Sequence, residues 1–401
     1  MKVPFAIPEF GTEEIQEVSD VIRSGWLTTA SRCAQFEKNF AEYVGAKHAL
    51  AVNSATAALH LGVEALGIKP GDKVLVPTFT FTATAEVVRY LGADPVFMDC
   101  DRNTFCITAK QIENAVEDAS SKRPRGIASG FHRGSKSGKL KAIIPVHFGG
   151  HPCDMDSILE LATKNSLKVV EDAAHAIPTR YKGRLIGTFG DVTCFSFYAN
   201  KTMTTGEGGM LCTDDYEIAK RVKIMRLHGI NEDVWDRFST GASWEYNVVA
   251  PGFKYNMPDI NAALGIHQLK KVDLFREKRE RIARIYYEEL GNITGLILPR
   301  INCDMKDHSW YIFIVLMDRD RIRHSLGRNE FITEMTKRNI GTSVHYKPLH
   351  RMTYYKEKYG LKPEMFPNSE WVFEKCVSIP IFSAMTDLQL EYVIESIKDI
   401  L

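Results

Sequence analysis

Residues 196–210 read SFYANKTMTTGEGGM and connect two short apolar runs, 192–197 and 210–213. Similar apolar runs recur upstream and alternate with segments of helical spacing: 49–52, 74–76, 95–98, 142–146 and 168–170. Alternating strands and helices predict a mainly parallel sheet covered by helices on both faces, an α/β fold. In such a sheet, ligands bind where the carboxyl ends of the strands meet.

The pattern changes near residue 259, and this change predicts how the chain is divided. A long helix over Ile260–Leu290 is followed by a turn at Asn292–Pro299 and by a mixed α+β region that runs to the C-terminus. A chain of 401 residues is long enough for two packed lobes. We therefore expect a large domain at 1–259 and a smaller α+β domain, with the long helix, at 260–401.

Composition excludes several classes of protein. Hydrophobic residues make up 44%, charged residues 25%, and the formal net charge is +1, so neither disorder nor general attraction to nucleic acid or membranes is expected. The start, MKVPFAIPEF, has no secretory pattern, and no stretch approaches a membrane span, which predicts a cytoplasmic protein. The 8 cysteines form no CxxC pair, so we expect buried free thiols and no metal site.

The segment from Ser120 to Lys141 is basic and contains no acidic residue. An exposed loop or hairpin inserted between a helix and a strand is the favoured interpretation. The alternative is a cationic flap near a substrate that carries a diphosphate. Its cations are Lys122, Arg123, Arg125, Arg133, Lys136, Lys139 and Lys141.

Two residues that follow predicted strands carry the main chemical hypothesis. Glu171-Asp172 ends one strand, and Lys201 follows another. An enzyme that uses pyridoxal 5′-phosphate (PLP) needs a lysine amine to form a Schiff base and a carboxylate to keep the pyridine nitrogen protonated. A lone lysine is usually a solvated surface residue. Here the glycine-rich run 204–209 follows it, although a plain hairpin turn would also use those glycines.

A phosphate site is predicted at the start of a helix. Ser54, Ala55 and Thr56 follow the strand 49–52, so their hydroxyls and amides can meet an anion at a helix N-terminus. Ser196 offers another hydroxyl from a neighbouring strand end. The alternative is an ordinary helix cap.

Two rings stand at the same predicted strand ends. Phe81 could stack on a pyridine ring, but a core phenylalanine is the alternative. His175 could face a cofactor or substrate, and a structural histidine is equally compatible with its position.

Six blocks, taken together and in this order, resemble the DegT/DnrJ/EryC1/StrS family of sugar aminotransferases. The resemblance covers nearly the whole chain, from SGWLTT at Ser24 to IPIFSAMTD near the C-terminus. The blocks are NSATAALHLG, PTFTFTAT, EDAAHA, SFYANKTMTTGEGG, PGFKYNMPDINAALG and VHYKPLH.

The resemblance implies the aspartate aminotransferase fold, PLP fold type I, with a mostly parallel seven-stranded sheet in the large domain. It also implies a homodimer with active sites at the subunit interface. By this resemblance, Lys201 is the Schiff-base lysine and general acid/base, and Asp172 pairs with the pyridine nitrogen. The implied ring and phosphate contacts are Phe81, His175, Ser54, Ala55, Thr56 and Ser196.

In the family, a polar residue of the GFKYN-like block reaches the phosphate from the partner subunit. Lys254 and Asn256 both qualify here, and relatives that read GYNYR have Asn where this chain has Lys254. Residues that match blocks bordering the sugar pocket are Trp26, Thr28, Thr29, His345 and Tyr346.

The resemblance also implies the two substrates, L-glutamate as amino donor and a keto-sugar on a nucleoside diphosphate as acceptor. EDAAHA with the GFKYN block favours a 4-keto over a 3-keto sugar. Some members of the family dehydrate sugars and have His at the Schiff-base position. Because this chain has Lys201 there, the sequence argues against sugar dehydration. A non-catalytic regulator or scaffold with the same fold is a further alternative.

Overall fold

A computed structural model describes residues 1–120, 138–231, 245–322 and 326–401. The helices of these residues are α1 Thr12–Ser24, α2 Ser31–Val44, α3 Ala55–Ala65, α4 Ala83–Tyr90, α5 Ala109–Ser120, α6 Met155–Lys164, α7 Tyr216–Met225, α8 Asp259–Leu290, α9 Arg328–Lys337, α10 Thr353–Tyr359, α11 Pro367–Lys375 and α12 Asp387–Ile400. The strands are β1 His48–Val52, β2 Lys73–Pro77, β3 Asp94–Met98, β4 Leu140–Ile143, β5 Lys168–Asp172, β6 Arg180–Tyr181, β7 Arg184–Leu185, β8 Val192–Ser196, β9 Gly209–Thr213, β10 Leu296–Ile297, β11 Phe313–Met317 and β12 Cys376–Ile379.

A seven-stranded sheet organises the first part of the chain, in the order β1-β9-β8-β5-β4-β2-β3. Strand β9 runs antiparallel to both of its neighbours, and the other pairs are parallel. All residues of β3, β8 and β9 are buried, as expected for apolar strands covered on both faces. The predicted α/β fold with a mostly parallel sheet is therefore confirmed.

Helices pack on both faces of this sheet. On one face, Phe36 and Phe40 of α2 pack against β8 and the loop after it, with ring centroids 5.4 Å apart for Phe36 and Phe197 and 5.1 Å for Phe40 and Phe195. On the other face, α3 packs against β8 and β9 and is buried from Ala57 through Val63. Burial of these apolar side chains stabilises the sheet between its two helical layers.

Helix α8 belongs to two hydrophobic cores. Ala262 and Ile266 join the core with α2 and the sheet, whereas Tyr286 and Leu290 pack in a second core with β11, β12 and α12. The N-terminal Val3 also lies in the second core. The two cores are thus joined through one continuous helix, and the division at residues 259/260 stays a prediction.

The segment predicted as a turn after α8 also contains a short strand. β10 pairs antiparallel with β11, with Leu296 opposite Met317. The prediction of a simple turn was therefore incomplete, because two residues are too few to show a strand pattern.

Asp259, at the start of α8, caps the start of α2. Its Oδ1 accepts hydrogen bonds from the N–H groups of Ala30 at 2.7 Å and Cys33 at 3.0 Å, and its Oδ2 accepts from Arg32 N–H at 3.1 Å. A carboxylate that satisfies the free N–H groups of a first helical turn also complements the helix dipole. The loop over residues 25–30 is therefore fixed beside the PGFKYN segment, where Thr29 Oγ1 donates to Met257 O.

The described ranges contain no helix that is both long and apolar enough to cross a bilayer. Within the same ranges, no three His, Cys, Asp or Glu side chains cluster as a metal site would require. All 8 cysteines are free thiols, and each is buried except Cys303, which is partly exposed.

The basic segment Ser120–Lys141 lies between α5 and β4 in the chain. Most of it, residues 121–137 with Lys122, Arg123, Arg125, Arg133 and Lys136, lies outside the described residues. Its predicted loop and the alternative of a cationic flap therefore stay predictions.

Candidate active site

The carboxyl ends of the sheet strands border a cavity of about 460 Å³. The second half of the chain closes this cavity with Tyr311, His345 and Tyr346. Ten of the residues predicted to form the site line it: Ser54, Ala55, Thr56, Phe81, Asp172, His175, Ser196, Lys201, His345 and Tyr346. The convergence arises because β5 and β8 are parallel neighbours, so residues that follow them meet at one edge.

Lys201 lies in the turn after β8, where its backbone N–H donates to Tyr198 O at 2.9 Å. Its Nζ is 4.2 Å from the centroid of the Tyr311 ring. Burial lowers the pKa of Lys201 to about 7, and the negative charge of Asp172 acts in the opposite direction. A large fraction of this amine is therefore neutral, and so nucleophilic, near neutral pH.

Asp172 ends β5 and is 5% exposed. Its Oδ2 accepts a hydrogen bond from Thr84 Oγ1 at 2.8 Å, and its Oδ1 accepts from Ala174 N–H at 3.2 Å. Burial raises the pKa of Asp172 above its ordinary value, while these two hydrogen bonds and the charge of Lys201 partly oppose that rise. A positive group placed beside this carboxylate would stabilise the ionised form further.

The preceding residue, Glu171, holds the neighbouring loop in place. His147 Nε2 lies 3.0 Å from Glu171 Oε2, while Glu171 Oε1 accepts from Gly190 N–H at 2.8 Å and Thr193 Oγ1 at 2.7 Å. Burial alone would raise the pKa of Glu171, but the hydrogen bond and charge of His147 bring it below the ordinary value. His147 N–H in turn donates to the carbonyl of Asp172 at 3.1 Å, so this network fixes the end of β5.

The N-terminus of α3 also borders the cavity. Ser54 Oγ accepts from Ala57 N–H at 3.1 Å, which makes Ser54 the helix cap. Gly209 packs against this point, since a Cβ on it would lie 2.5 to 2.6 Å from backbone atoms of Ser54 and Ala55. The close approach of β9 is possible with glycine, and the exposed amides of the first turn favour an anion.

His175 is held in one orientation by three contacts. Its Nδ1 accepts from Gly149 N–H at 3.2 Å, its Nε2 lies 3.1 Å from Tyr346 Oη, and its ring stacks on Tyr311 with centroids 4.4 Å apart. Burial and then the charge of Lys201 lower its pKa, so the ring is neutral. With Nδ1 as acceptor, the proton sits on Nε2 and is donated to Tyr346 Oη.

His345 and Phe81 form two further walls. His345 Nδ1 is 2.7 Å from Ser378 Oγ, and burial, followed by the charge of Lys201, lowers the pKa of His345 to about 4. The ring of Phe81 is 5.7 Å from that of Tyr346 and is 54% exposed. In a single chain, the Phe81 side of the cavity is therefore open.

The remaining predicted residues do not line the cavity of a single chain. Asn256 Nδ2 donates to Thr29 Oγ1 at 2.7 Å within the same chain. Lys254 is exposed, and its carbonyl accepts from Asn53 Nδ2 at 3.3 Å. Trp26 is half-buried and Thr28 is exposed, both in the loop between α1 and α2.

Sequence reasoning missed other residues of the cavity. Thr84, which donates a hydrogen bond to Asp172, belongs to the PTFTFTAT block, as Phe81 does. Its place in that block could have predicted that it lies at the site. Tyr311 lies far along the chain from any predicted site residue and carried no such signal. Tyr198, Asn200 and Glu207 also line the cavity and belong to the block around Lys201.

The geometry matches the three chemical demands of PLP. A buried carboxylate suits the pyridine nitrogen, a lysine amine with a low pKa suits the aldehyde, and a helix N-terminus suits the phosphate. The fold and the site together define the class, a PLP-dependent enzyme of fold type I.

The model of the DegT/DnrJ/EryC1/StrS aminotransferase family matches residues 8–398, and the chain belongs to that family. The protein is thus a PLP-dependent sugar aminotransferase.

Individual relatives agree with this membership. The chain is 45% identical over 399 residues to the spore coat polysaccharide biosynthesis protein SpsC of Bacillus subtilis, covering 99% of this chain and 97% of SpsC. It is 47% identical over 393 residues to the uncharacterized protein MJ1066 of Methanocaldococcus jannaschii, covering 98% and 96% of the two chains. Spr1654 of Streptococcus pneumoniae, assigned as a sugar aminotransferase, has a PLP-form structure with a TM-score of 0.86, 31% identity, and coverage of 100% of this chain and 98% of Spr1654.

The low pKa of Lys201 predicts a distinctive reactivity in the cofactor-free protein. Because the neutral amine is the reactive form, its acylation by a small amine-reactive ester should rise with pH, reach half its maximum near the pKa of about 7, and then level off. The same lysine in the urea-unfolded protein is the control: unfolding removes the burial, so its acylation should keep rising toward about pH 10. Peptide mass spectrometry measures both rates, and identical pH profiles would contradict the low pKa of Lys201.

Proposed function

We propose that this aminotransferase moves the amino group of L-glutamate to a keto-sugar carried on a nucleoside diphosphate. The observation that carries the proposal is one cavity lined by Lys201, the buried Asp172 and the N-terminus of α3. The relative named for spore coat polysaccharide biosynthesis supports a role in making a surface polysaccharide or another glycoconjugate. Nucleotide sugars and glutamate are cytoplasmic metabolites, so we assign the reaction to the cytoplasm.

Lys201 would hold the cofactor and move the proton in both half-reactions. When bound, PLP supplies an aldehyde that takes up the amino group and a ring that withdraws electrons. The pKa of about 7 lets the lysine accept a proton in one step and return it in the next without a large free-energy cost. Asp172, which accepts hydrogen bonds from Thr84 and Ala174, would keep the pyridine nitrogen of the bound cofactor protonated.

The proposed phosphate contacts are Ser54, Ala55, Thr56 and Ser196, at the start of α3 and the end of β8. Among the described residues that line the cavity, Lys201 is the one lysine or arginine, while Asp172 and Glu207 are acidic. A phosphate dianion therefore needs a further positive or polar group. This need supports a homodimer in which a second subunit completes the site.

Lys254 is the favoured contact from the second subunit. Its ammonium is exposed and makes no ion pair within the described ranges, whereas Asn256 already donates to Thr29 of its own chain. The half-exposed rings of Phe81 and Tyr198 at the cavity are apolar surface that a second subunit would cover.

Two side chains are suited to bind hydroxyl groups of the sugar. Tyr346 Oη accepts a hydrogen bond from His175, which leaves its own proton available for a ligand. His345 uses Nδ1 with Ser378, so its Nε2 remains for the substrate. Trp26, Thr28 and Thr29 would border the sugar if they came from the second subunit. A 4-keto sugar is the favoured acceptor, on the basis of the EDAAHA and GFKYN blocks.

The two half-reactions are separately observable. The purified protein with PLP should be yellow, and L-glutamate should bleach it because the amino group passes to the cofactor. A nucleoside-diphosphate 4-keto sugar should then restore the colour faster than the 3-keto isomer does. Lys201→Ala should lower the rate of both steps by at least about 10³-fold, whereas the exposed control Lys220→Ala should leave them unchanged. An unbleached wild-type protein, or a fully active Lys201→Ala, would contradict the proposal.

A shared site predicts complementation between two impaired variants. Lys254→Ala should weaken PLP binding by about 10-fold or more, since it removes a charge-assisted contact to phosphate. Coexpression of Lys254→Ala with Lys201→Ala produces hybrid dimers in which one of the two sites has both lysines. Random pairing should then restore about a quarter of wild-type activity. Asn256→Ala in place of Lys254→Ala tests the other candidate, and activity equal to the mean of the separate variants would argue against a shared site.

A further inference from the structure

Tyr311 lies against the Lys201 amine, although it comes from the second half of the chain. The Lys201 Nζ is 4.2 Å from the centroid of the Tyr311 ring. Tyr311 Oη donates to Asn200 Oδ1 at 3.1 Å, and Asn200 directly precedes Lys201 in the chain. The Tyr311 side chain is 4% exposed, so it contacts both the turn and the amine within the protein interior.

The position of Tyr311 is fixed without any help from Lys201. The buried Arg279 of α8 donates from Nη1 to the carbonyls of Trp310 at 3.3 Å, Tyr311 at 3.1 Å and Ile381 at 2.8 Å. Trp310 has a backbone φ of 51°, in the left-handed region. A residue with a large side chain keeps this backbone conformation when the surrounding structure enforces it. Arg279 and the fully buried Trp310 thus hold the backbone of Tyr311 rigid.

Contacts with His175 fix the Tyr311 ring as well. The two rings stack with centroids 4.4 Å apart and planes at 29°. Ser309 Oγ donates to the carbonyl of His175 at 2.6 Å, which ties the same segment to the loop after β5. These contacts therefore hold the face of the Tyr311 ring that Lys201 contacts in one position.

An aromatic face attracts a cation because the ring quadrupole is negative above and below the plane. In a desolvated cavity this attraction is stronger than at a surface, and it favours the ammonium form of lysine. Burial favours the neutral amine instead. The ring and the burial thus act on Lys201 in opposite directions, which keeps both protonation states accessible.

We propose that Tyr311 is a positioning residue for Lys201, whose ring face orients the amine in the cavity and stabilises its protonated form. This inference rests on the proposed role of Lys201 as the residue that holds PLP. Other titratable groups also face the amine or line the cavity around it, namely Asp172, His175, Tyr198, Glu207, His345 and Tyr346. These groups are unchanged in the variants below, so their influence is common to all of them.

The test changes the ring quadrupole at nearly constant volume. Tyr311→Phe keeps the aromatic face, and Tyr311→pentafluorophenylalanine reverses its charge distribution. For each cofactor-free variant, the rate of covalent PLP capture is followed against pH by the appearance of the yellow colour. Because the fluorinated ring no longer favours the ammonium, the midpoint of this profile should fall by roughly one pH unit relative to Tyr311→Phe.

Tyr286 provides the matched control. It is fully buried, donates from Oη to Pro380 O at 2.7 Å, and lies in the second core and not among the residues that line the cavity. The same two substitutions at Tyr286 should leave the midpoint unchanged, and melting temperatures establish that each variant is folded.

Two results would contradict the account in different ways. Slower capture at every pH with an unmoved midpoint would mean that Tyr311 only fills space, and it would overturn the inference. Failure of the wild-type protein to capture PLP on Lys201 at any pH would overturn the proposed function itself.

Discussion

The site depends on the electrostatic interaction between two groups that line the same cavity. Asp172 is a buried carboxylate whose pKa is raised by burial, and Lys201 is a partly buried residue whose amine has a pKa that burial lowers to about 7. Burial disfavours the charged form of each group. Opposite charges stabilise each other, so each group reduces the effect of burial on the pKa of the other, and the amine stays able to gain or lose a proton near neutral pH.

The sheet supplies the geometry that this relation needs. β5 and β8 are adjacent and parallel, with Asp172 opposite Cys194, so a residue at the end of one lies close to the turn that follows the other. Behind the pair, Glu171 and His147 form a fully buried network that fixes the end of β5. The rigid elements therefore determine where the acid stands, and the turn after β8 determines where the amine stands.

The sheet, Asp172 and Lys201 were predictable from sequence because their signals are local: apolar strands, and polar groups directly after them. Tyr311 and Arg279 were not predictable, because their positions follow from packing between α8, the segment before β11 and the loop after β5.

Five further residues belong to recognisable motifs but lie outside the cavity of a single chain: Trp26, Thr28, Thr29, Lys254 and Asn256. Their roles stay predictions; in the proposed homodimer a second subunit would supply them, and local sequence patterns do not describe contacts between subunits. The short β10 escaped prediction since its pairing with β11 is a tertiary contact.

The second half of the chain is part of the site as well as a support for it. Tyr311, His345 and Tyr346 close the cavity opposite the sheet, and α8 connects this half to the sheet by packing in both cores. Shifts between the two cores would therefore alter the environment of Lys201 directly, through the ring that faces its amine.

If PLP binds covalently to the Lys201 amine, as proposed, reduction with borohydride should trap that bond. The protein is incubated with PLP, reduced with borohydride, digested, and mapped by mass spectrometry. A stable pyridoxyl-phosphate adduct is expected on the peptide that contains Lys201, at close to one per chain. An adduct confined to other lysines, or none at all, would contradict the proposed bond.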